Sequence, residues 1–407
     1  MFSLKRKVNA GALQYVLVIA IIIFILLLSF IQLIQLQNKL TIKSSLYKKA
    51  ILNTNNGFKG LSNENLNTNI SEEISVSKNN WGAFNVVKVT SKVNKEVFEK
   101  IGLVGNYISD RKALYLVDNN TPLVVVGNTK LIGPAYLPKR GIKRGNIAGN
   151  SFYGNVLVNG SIRESSSSLP ENITIKNISG FTNSIFDKNI KSIELKDGDK
   201  LVQSFNKETL IYKDYETIRL QDVSLKGNII VQSLKKIIVT QETDLQDIIL
   251  IAPEIEIQSN TKATFQAFAT KKITVNKNVS LAYPSYLFVS YKEDRIEEQH
   301  GVFIGERSLI NGGVFFLHKE AKERNLNAQI KLKTNTKVIG EVYCQGNTEL
   351  LGTVTGEVYT KNFITKQRGS TYINHIYNGV INSRDLVDEY VGINGNVKNK
   401  KVSKWLY

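Results

Sequence analysis

Eight charged side chains in the second half of the chain have the types and spacing that catalysis could use. They are Asp244, Asp247, Glu254, Glu256, Asp294, Arg295, Glu297 and Glu298. Two carboxylates that face each other across about 5 to 9.5 Å can hydrolyse a glycosidic bond. Residues 292–299, KEDRIEEQ, are instead typical of a charged loop between strands. We therefore favour a non-enzymatic role, with a carbohydrate-active role as the alternative.

The remaining reactive residue types predict no metal or cofactor site. The histidines His300, His318 and His375 lack the H-x-x-x-H and H-E-x-x-H spacings of metal sites. Cys344 is the single cysteine, so no internal disulfide can form. No nucleophile elbow or phosphate-binding loop is present either.

A basic motif, K-R-G, is written twice within a glycine-paced stretch. It places Lys139 and Arg140 before one glycine, and Lys143 and Arg144 before the next. Two adjacent turns of this kind could contact an anionic glycan or a phosphate headgroup, and a solvated pair of turns is the alternative. The net charge is +18, but the other lysines are scattered and lack interleaved aromatic residues. We therefore expect no nucleic-acid partner.

A second candidate site lies in GSTYINHIYNGVIN, residues 369–382, which contains Tyr372, His375 and Tyr377. These rings could form a patch that binds a partner protein. Alternatively, the stretch could cap the end of a stack of strands, where unpaired edges would otherwise associate.

The element that must position these residues is a repeat. Apolar residues recur every 18 positions, in the sets Ile237, Ile255 and Ile273; Val239, Ile257 and Val275; and Leu250, Phe268 and Tyr286. Further along, IGEVYC at 339–344 is repeated as TGEVYT at 355–360, a step of 16. Such a period predicts the stacked coils of a parallel β-helix. Every sixth position from 237 gives Ile, Thr, Ile, Ile, Thr and Ala, which favours a right-handed or irregular solenoid over a left-handed hexapeptide helix.

A membrane anchor is predicted near the N-terminus. No charged residue occurs between Lys7 and Lys39. About 20 apolar residues are enough to cross the membrane, and no signal-peptide cleavage site follows. Lys5, Arg6 and Lys7 form a short basic flank, which tends to stay cytoplasmic. We expect a single pass of the cytoplasmic (inner) membrane, with the N-terminus inside and the remaining chain extracytoplasmic.

Two stretches resemble known families. AGALQYVLVIA, residues 10–20, is similar to the start of type IV pilins and pseudopilins. This resemblance implies cleavage near Ala10 or Gly11 and packing of the helix into a filament. The chain departs from that pattern because Tyr15 or Val16 stands where most members carry Glu. The coil repeat resembles bactofilins in its period and G-x-V pattern, although those are usually cytoplasmic or peripheral proteins.

These observations predict a mainly β fold: an N-terminal transmembrane helix, a strand-rich region and a parallel β-helix. The expected divisions are a cytoplasmic leader at 1–11, the transmembrane helix at 12–36, a stalk at 37–80, a glycine-paced strand region at 81–165, a β-helix with a C-terminal cap at 166–385, and a basic tail at 386–407. We expect a structural or assembly component of a bacterial envelope complex, with the membrane, envelope or pilus-like proteins and an anionic glycan as candidate partners. The alternative is a membrane-tethered, glycan-binding or carbohydrate-active β-helix. A third alternative, a cytoskeletal polymer, would require open solenoid ends, and the expected C-terminal cap argues against it.

Overall fold

A computed structural model describes residues 10–61, 69–71, 73–172, 174, 175, 178, 195–318, 325–395 and 399–407. The chain is mainly β in these ranges and has one long helix, α1, Ala10–Gly60. The first strands are β1 Asn69–Ser71, β2 Ile74–Trp81, β3 Phe84–Val93, β4 Glu96–Tyr107, β5 Leu114–Leu116, β6 Leu123–Val126, β7 Lys130–Ile132, β8 Ala135–Leu137, β9 Ile142–Arg144, β10 Asn146–Ile147, β11 Asn150–Ser151 and β12 Ile162–Glu164. Next come β13 Lys200–Gln203, β14 Leu210–Asp214, β15 Ile218–Leu220, β16 Ser224–Gly227, β17 Ile229–Ser233, β18 Lys236–Val239, β19 Asp244–Ile257, β20 Lys262–Val275, β21 Ser280–Tyr291, β22 Gly301–Ile304 and β23 Leu309–His318. The last are β24 Ile330–Leu332, β25 Lys337–Leu350, β26 Thr353–Gln367, β27 Ser370–Ile373, β28 His375–Tyr377, β29 Val380–Asn382, β30 Val391–Gly392 and β31 Lys400–Leu406.

The chain divides into two compact units. The first contains Met1–Phe58, Asn67–Val76 and Val89–Lys100, and the second contains Lys59–Leu66, Ser77–Lys88 and Ile101–Tyr407. The glycine-paced region from residue 101 onward and the whole repeat therefore belong to the same unit.

The first part of α1 is apolar and exposed. Its large apolar side chains from Leu13 to Leu36 are 43% to 75% exposed. An 18-residue window of the helix has a mean hydropathy of 3.2, and none of that window is buried. By length and composition, the helix can cross a membrane, for which about 20 residues suffice.

The second part of α1 packs within the first unit. Ala50, Thr54 and Phe58 are buried, and the amide of Asn53 donates to Glu73 at 3.1 Å. The helix continues without a break to Gly60, so the first half of the predicted stalk, 37–80, is helical. Asn and Ser disfavour helices only weakly, and burial of one helix face overrides that preference.

Parallel strands dominate the second unit, and they form a sheet that closes on itself. Two of the predicted sets pair in register, namely Ile237 with Ile255 and Ile273, and Val239 with Ile257 and Val275. The two copies of the 16-residue repeat also pair in register, since Gly340 lies opposite Gly356 and Tyr343 opposite Tyr359.

The predicted register of the third set, Leu250, Phe268 and Tyr286, was wrong. Leu250 pairs with Ala267 instead of Phe268, and Tyr286 pairs with Gln266. Register irregularities interrupt β19 and β20 on both sides of these positions. Each bulge moves the pairing by one or two residues, which a constant spacing cannot anticipate.

Strands from the glycine-paced region continue the same parallel sheet. β5 pairs with β26, β8 with β5, and β12 with β8. Within the stretch 369–382, which was expected to include a cap, β29 lies between β26 and β7, whereas β28 is an edge strand that pairs with β6. The basic tail ends in β31, which pairs antiparallel with β4.

Alternate residues of the parallel strands form two separate hydrophobic clusters. The inner cluster is largely aliphatic and includes Val314 and Phe316 of β23. The outer cluster includes Phe315 of the same strand. It contains a stack of rings, the aromatic ladder, in which successive centroids lie 4.6 to 6.1 Å apart: Phe268, Phe288, Phe315, Tyr343, Tyr359, Tyr115 and Tyr136.

Candidate functional site

The structure brings the two predicted binding sets together on one small parallel sheet, ordered β28-β6-β9. His375 of β28 pairs with Val124 of β6, and Val124 pairs with Lys143 of β9. Adjacent strands are about 4.8 Å apart, so the His375 and Lys143 backbones are separated by about 9.6 Å. We call the outward side of these strands, with the residues that flank it, the β6 face.

Alternation along the strands explains the orientation of the β6 face. Leu123, Val125 and Ile376 belong to the inner cluster. Val124 and Val126 point the other way and form a small cluster with Ile147. Successive residues of a strand point to opposite faces, so one side enters the core while the other carries the small cluster of Val124, Val126 and Ile147.

The three predicted ring residues lie on this face. Tyr372 and Tyr377 are half-buried and pack against the Val124 and Val126 cluster. The rings of Tyr372 and His375 lie 5.4 Å apart. Tyr372 and Tyr377 therefore have a packing role, and part of each ring stays exposed.

One ring nitrogen of His375 forms a hydrogen bond with the backbone. Its Nδ1 lies 2.7 Å from the carbonyl oxygen of Ile373, so Nδ1 carries a proton and donates. Nε2 is then the ring's acceptor. Burial lowers the pKa of His375, and nearby Lys143 lowers it further, against the opposing effect of the hydrogen bond to Ile373.

The two K-R-G copies have different conformations. Lys139 and Arg140 lie in a turn, where Gly141 has a φ of 67°. Lys143 and Arg144 lie on β9. A side chain at the second glycine, Gly145, would meet Val124 Cγ1 at 2.2 Å, so this glycine allows close strand packing. The expectation of two similar turns was wrong for the second copy.

All four basic side chains are exposed. Arg144 Nη2 donates to the carbonyl of Asn155 at 3.1 Å. In the ranges that the structure covers, the ion pairs with carboxylates involve other lysines, and none involves these four residues. Lys143 lies on the same face as His375, whereas Arg144 pairs with Val125 and lies over the Phe152 ring at 5.9 Å, on the opposite face. Lys139 lies in the adjoining turn, and its backbone amide donates to the carboxylate of Asp118 at 3.4 Å.

Four of the carboxylates that were considered for catalysis are engaged by lysines. Asp244 pairs with Lys226 at 2.8 Å, and Glu256 pairs with Lys236 at 2.6 Å. Glu298 pairs with Lys366 at 3.0 Å. Lys404 lies 2.7 Å from Asp247. Hydrogen bonds to these lysines hold the pKa values of Asp244, Glu256 and Glu298 below their usual range. This arrangement favours structural ion pairs.

The other predicted site residues are placed as follows. Ala10 is the first residue of α1, and Gly11 is exposed on it; residues 1–9 of the leader lie outside the described residues. His300 and His318 pack on the ring of Tyr291, at centroid distances of 4.6 and 5.7 Å. Tyr291 pairs with His318 on neighbouring parallel strands, which explains that contact.

Two buried carboxylates were missed from the sequence. Glu341 and Glu357 pair in register and are both buried. Glu341 accepts from the hydroxyl of Tyr286 at 3.0 Å, and Glu357 accepts from the backbone amide of Lys112 at 3.0 Å. Burial raises both pKa values, that of Glu357 to about 8. The available signal was the G-E-V-Y sequence, because both copies of the repeat keep the Glu as well as the Gly and Tyr.

Tyr286 can reach Glu341 because a glycine lies between them. Tyr286 pairs with Gly313, and Gly313 pairs with Glu341. A Cβ at Gly313 would come within 2.4 Å of the Tyr286 ring. The missing side chain therefore makes room for this hydrogen bond.

A shallow polar groove of 390 Å³ lies along successive turns of the sheet. Its lining consists of Arg219, Gln221, Gln241, Glu242, Gln258, Ser259, Asn260 and Asn276. The groove carries one arginine and no aromatic ring. It is therefore less suited to an anionic ligand than the β6 face.

Searches against protein-family models, curated proteins and solved structures find no match for the chain. Its function is therefore argued from its own residues.

Proposed function

We propose that this protein is a non-catalytic, membrane-anchored scaffold of the bacterial cell envelope. Helix α1 crosses the cytoplasmic membrane once with its N-terminus inside, and the parallel strands form β-helix coils on the outer side. The observation that carries this proposal is the exposed apolar first part of α1, which continues without a break into a packed helical end.

The length of α1 supports a stiff connection. Its 51 residues extend for about 77 Å at about 1.5 Å per residue. The hydrocarbon layer is about 30 Å thick, so more than half of the helix lies beyond it.

The β-helix assignment rests on pairing intervals. Parallel partners recur at one constant interval through β18, β19 and β20, as in the step from Ile237 to Ile255 and on to Ile273. A slightly shorter interval joins β25 to β26, where Gly340 pairs with Gly356. In a coil repeat, equivalent residues stack on one another at nearly constant sequence intervals. A stack of this kind is suited to present a fixed surface, because each coil contacts its neighbours along its whole length.

A pilin-like role is the more specific form of this proposal. It requires removal of the leader near Ala10 or Gly11 and packing of the apolar helix with other helices in a filament. The intact mass of protein extracted from membranes tests it. A mass that corresponds to a chain beginning just after Ala10 or Gly11 would support this form. An unprocessed N-terminus would reduce the proposal to an anchored scaffold.

Cysteine labelling tests the topology. The only native thiol, Cys344, is buried, and burial raises its pKa to about 11. Because the thiolate is the reactive form, Cys344 gives little background. Val202 is 68% exposed, so we expect Val202→Cys to react with a membrane-impermeant maleimide in intact spheroplasts.

Ser3→Cys is the matched control on the opposite side. It should react only after lysis, or not at all if the leader has been removed, and the intact mass separates these two cases. Reaction of Val202→Cys only after lysis would place the strands in the cytoplasm and overturn the proposal. Recovery of the chain in the soluble fraction would overturn the anchor itself.

A further inference from the structure

We infer that the β6 face binds a carboxylated polysaccharide. Lys139, Arg140 and Lys143 supply charge, while Tyr372, His375 and Tyr377 supply flat contact surface beside it. The observation behind this inference is that Lys143, His375 and Tyr377 belong to one three-stranded sheet. Lys139 and Arg140 lie in the turn before β9, and Tyr372 of β27 packs on the same valine cluster as Tyr377.

The charge on this face requires an anion of extended shape. The basic side chains occur within the short segment 139–144, and they are all exposed. Like charges at such spacing repel one another, and an anionic chain that spans them relieves the repulsion. Because His375 and Lys143 lie on the same face with β6 between them, a ligand that touches both must bridge that strand. A polymer of acidic sugars meets that requirement better than a single small anion.

The rings beside the charges are held in place. Tyr372 and Tyr377 pack on the cluster of Val124, Val126 and Ile147, so ligand binding costs them little conformational freedom. Nε2 of His375 is an acceptor, since Nδ1 donates to Ile373. The face can therefore accept a sugar hydroxyl as well as attract a carboxylate.

We favour polysaccharide over nucleic acid for two reasons. Single-stranded nucleic acid is held by successive exposed rings along a basic groove, whereas here Tyr372 and Tyr377 are half-buried and pack against the same small valine cluster. The second reason rests on the proposed function, because an extracytoplasmic surface meets acidic envelope glycans.

Binding of the full chain, purified in detergent, to oligogalacturonate tests the inference. We expect saturable binding that weakens with salt, and no binding to a neutral galactan of equal length. Arg140→Ala/Lys143→Ala should weaken binding about tenfold or more, since each contact is charge-assisted. Lys262→Ala/Lys271→Ala is the matched control, because both lysines are exposed and lie on β20, away from this sheet. It removes the same charge and should change affinity less than about twofold.

A second readout reports on geometry. Bound carboxylate should raise the pKa of His375 in an NMR titration, because an anion favours the protonated ring. Equal loss of affinity in the two double variants would show that only overall charge matters, and would overturn the site. Tighter binding of oligodeoxythymidylate than of oligogalacturonate would replace the polysaccharide with nucleic acid. These results leave the topology untouched, because cysteine labelling tests it separately.

Discussion

The inner and outer clusters of the parallel sheet are built from the same strands but are completed in different ways. Phe316 lies in the inner cluster, whose members come mainly from neighbouring parallel strands. Phe315, the adjacent residue, lies in the outer cluster with Phe84, Leu103 and Ile393. The inner cluster is completed by equivalent residues of successive parallel strands, whereas the outer cluster is covered by segments that are distant along the chain.

The two clusters also differ in polarity. The inner cluster is largely aliphatic. The outer side holds the carboxylates of Glu341 and Glu357 together with the hydroxyls of Tyr286 and Tyr390. Buried ionisable groups make stability depend on pH, and aliphatic groups do not. The parallel strands and their covering segments should therefore respond differently to substitution and to pH.

The largest expected effect comes from truncating the two neighbouring rings. Phe316→Ala should cost about 3 to 5 kcal/mol of unfolding free energy through its cavity. Phe315→Ala should cost about 1 kcal/mol more, because it loses stacking with two rings, Phe288 at 4.6 Å and Tyr343 at 5.9 Å, whereas Phe316 stacks only on His318 at 6.4 Å in the described residues. Chemical denaturation of the full chain in detergent measures both.

Limited proteolysis distinguishes the outer cluster, which contains Phe315, from the inner cluster, which contains Phe316. Phe315→Ala should expose Ser77–Lys88 and Lys400–Leu406 to cleavage before the parallel sheet unfolds, since residues of both segments belong to the outer cluster or pack against it. Phe316→Ala should leave them protected until global unfolding. The same cleavage pattern in both variants would contradict the division into two clusters.

The second effect is pH-dependent and confined to the outer side. The pKa of Glu357 is raised from 4.5 to about 8, so the folded state binds a proton that the unfolded state releases. Stability from this group is therefore complete below pH 4.5 and falls as the pH rises towards 8. Glu357→Gln remains neutral and can still accept from Lys112, so it should stabilise the protein by on the order of 3 kcal/mol at pH 8.

Denaturation at pH 5 and pH 8 gives the comparison. The gain from Glu357→Gln should largely disappear at pH 5. Glu254 is exposed on β19, so Glu254→Gln is the control and should show no such gain. A constant gain at both pH values would mean that packing, and not proton release, is responsible.

The same comparison explains what the sequence could predict. The Ile237, Ile255 and Ile273 set was predictable because its partners are set by one local interval. Leu250 was misaligned because a bulge is invisible to a constant period. The burial of Glu341 could not be foreseen, since the amides of Ile393 and Asn394 that hydrogen-bond it come from a distant part of the chain.

The residues of the candidate site could be predicted one by one, but their arrangement could not. Each basic or aromatic residue was visible as a short local motif. Their convergence was not, because it depends on β6 lying between β28 and β9, which are far apart in the chain. Lys143 and His375 were therefore assigned to different sites. Only the pairing of distant strands unites them.

The smallest expected effect lies outside both clusters, at the ion pair of Lys236 and Glu256. Each side chain is about one-third exposed, so Lys236→Met should cost only about 0.2 to 1 kcal/mol at pH 7. The hydrogen bond to Lys236 lowers the pKa of Glu256, so its contribution is present above pH 4.5 and is lost as the pH falls. The difference between Lys236→Met and the unmodified chain should thus shrink in acid, where the gain from Glu357→Gln also shrinks. A cost of several kcal/mol would show that charges on the sheet surface, and not the two clusters, control stability.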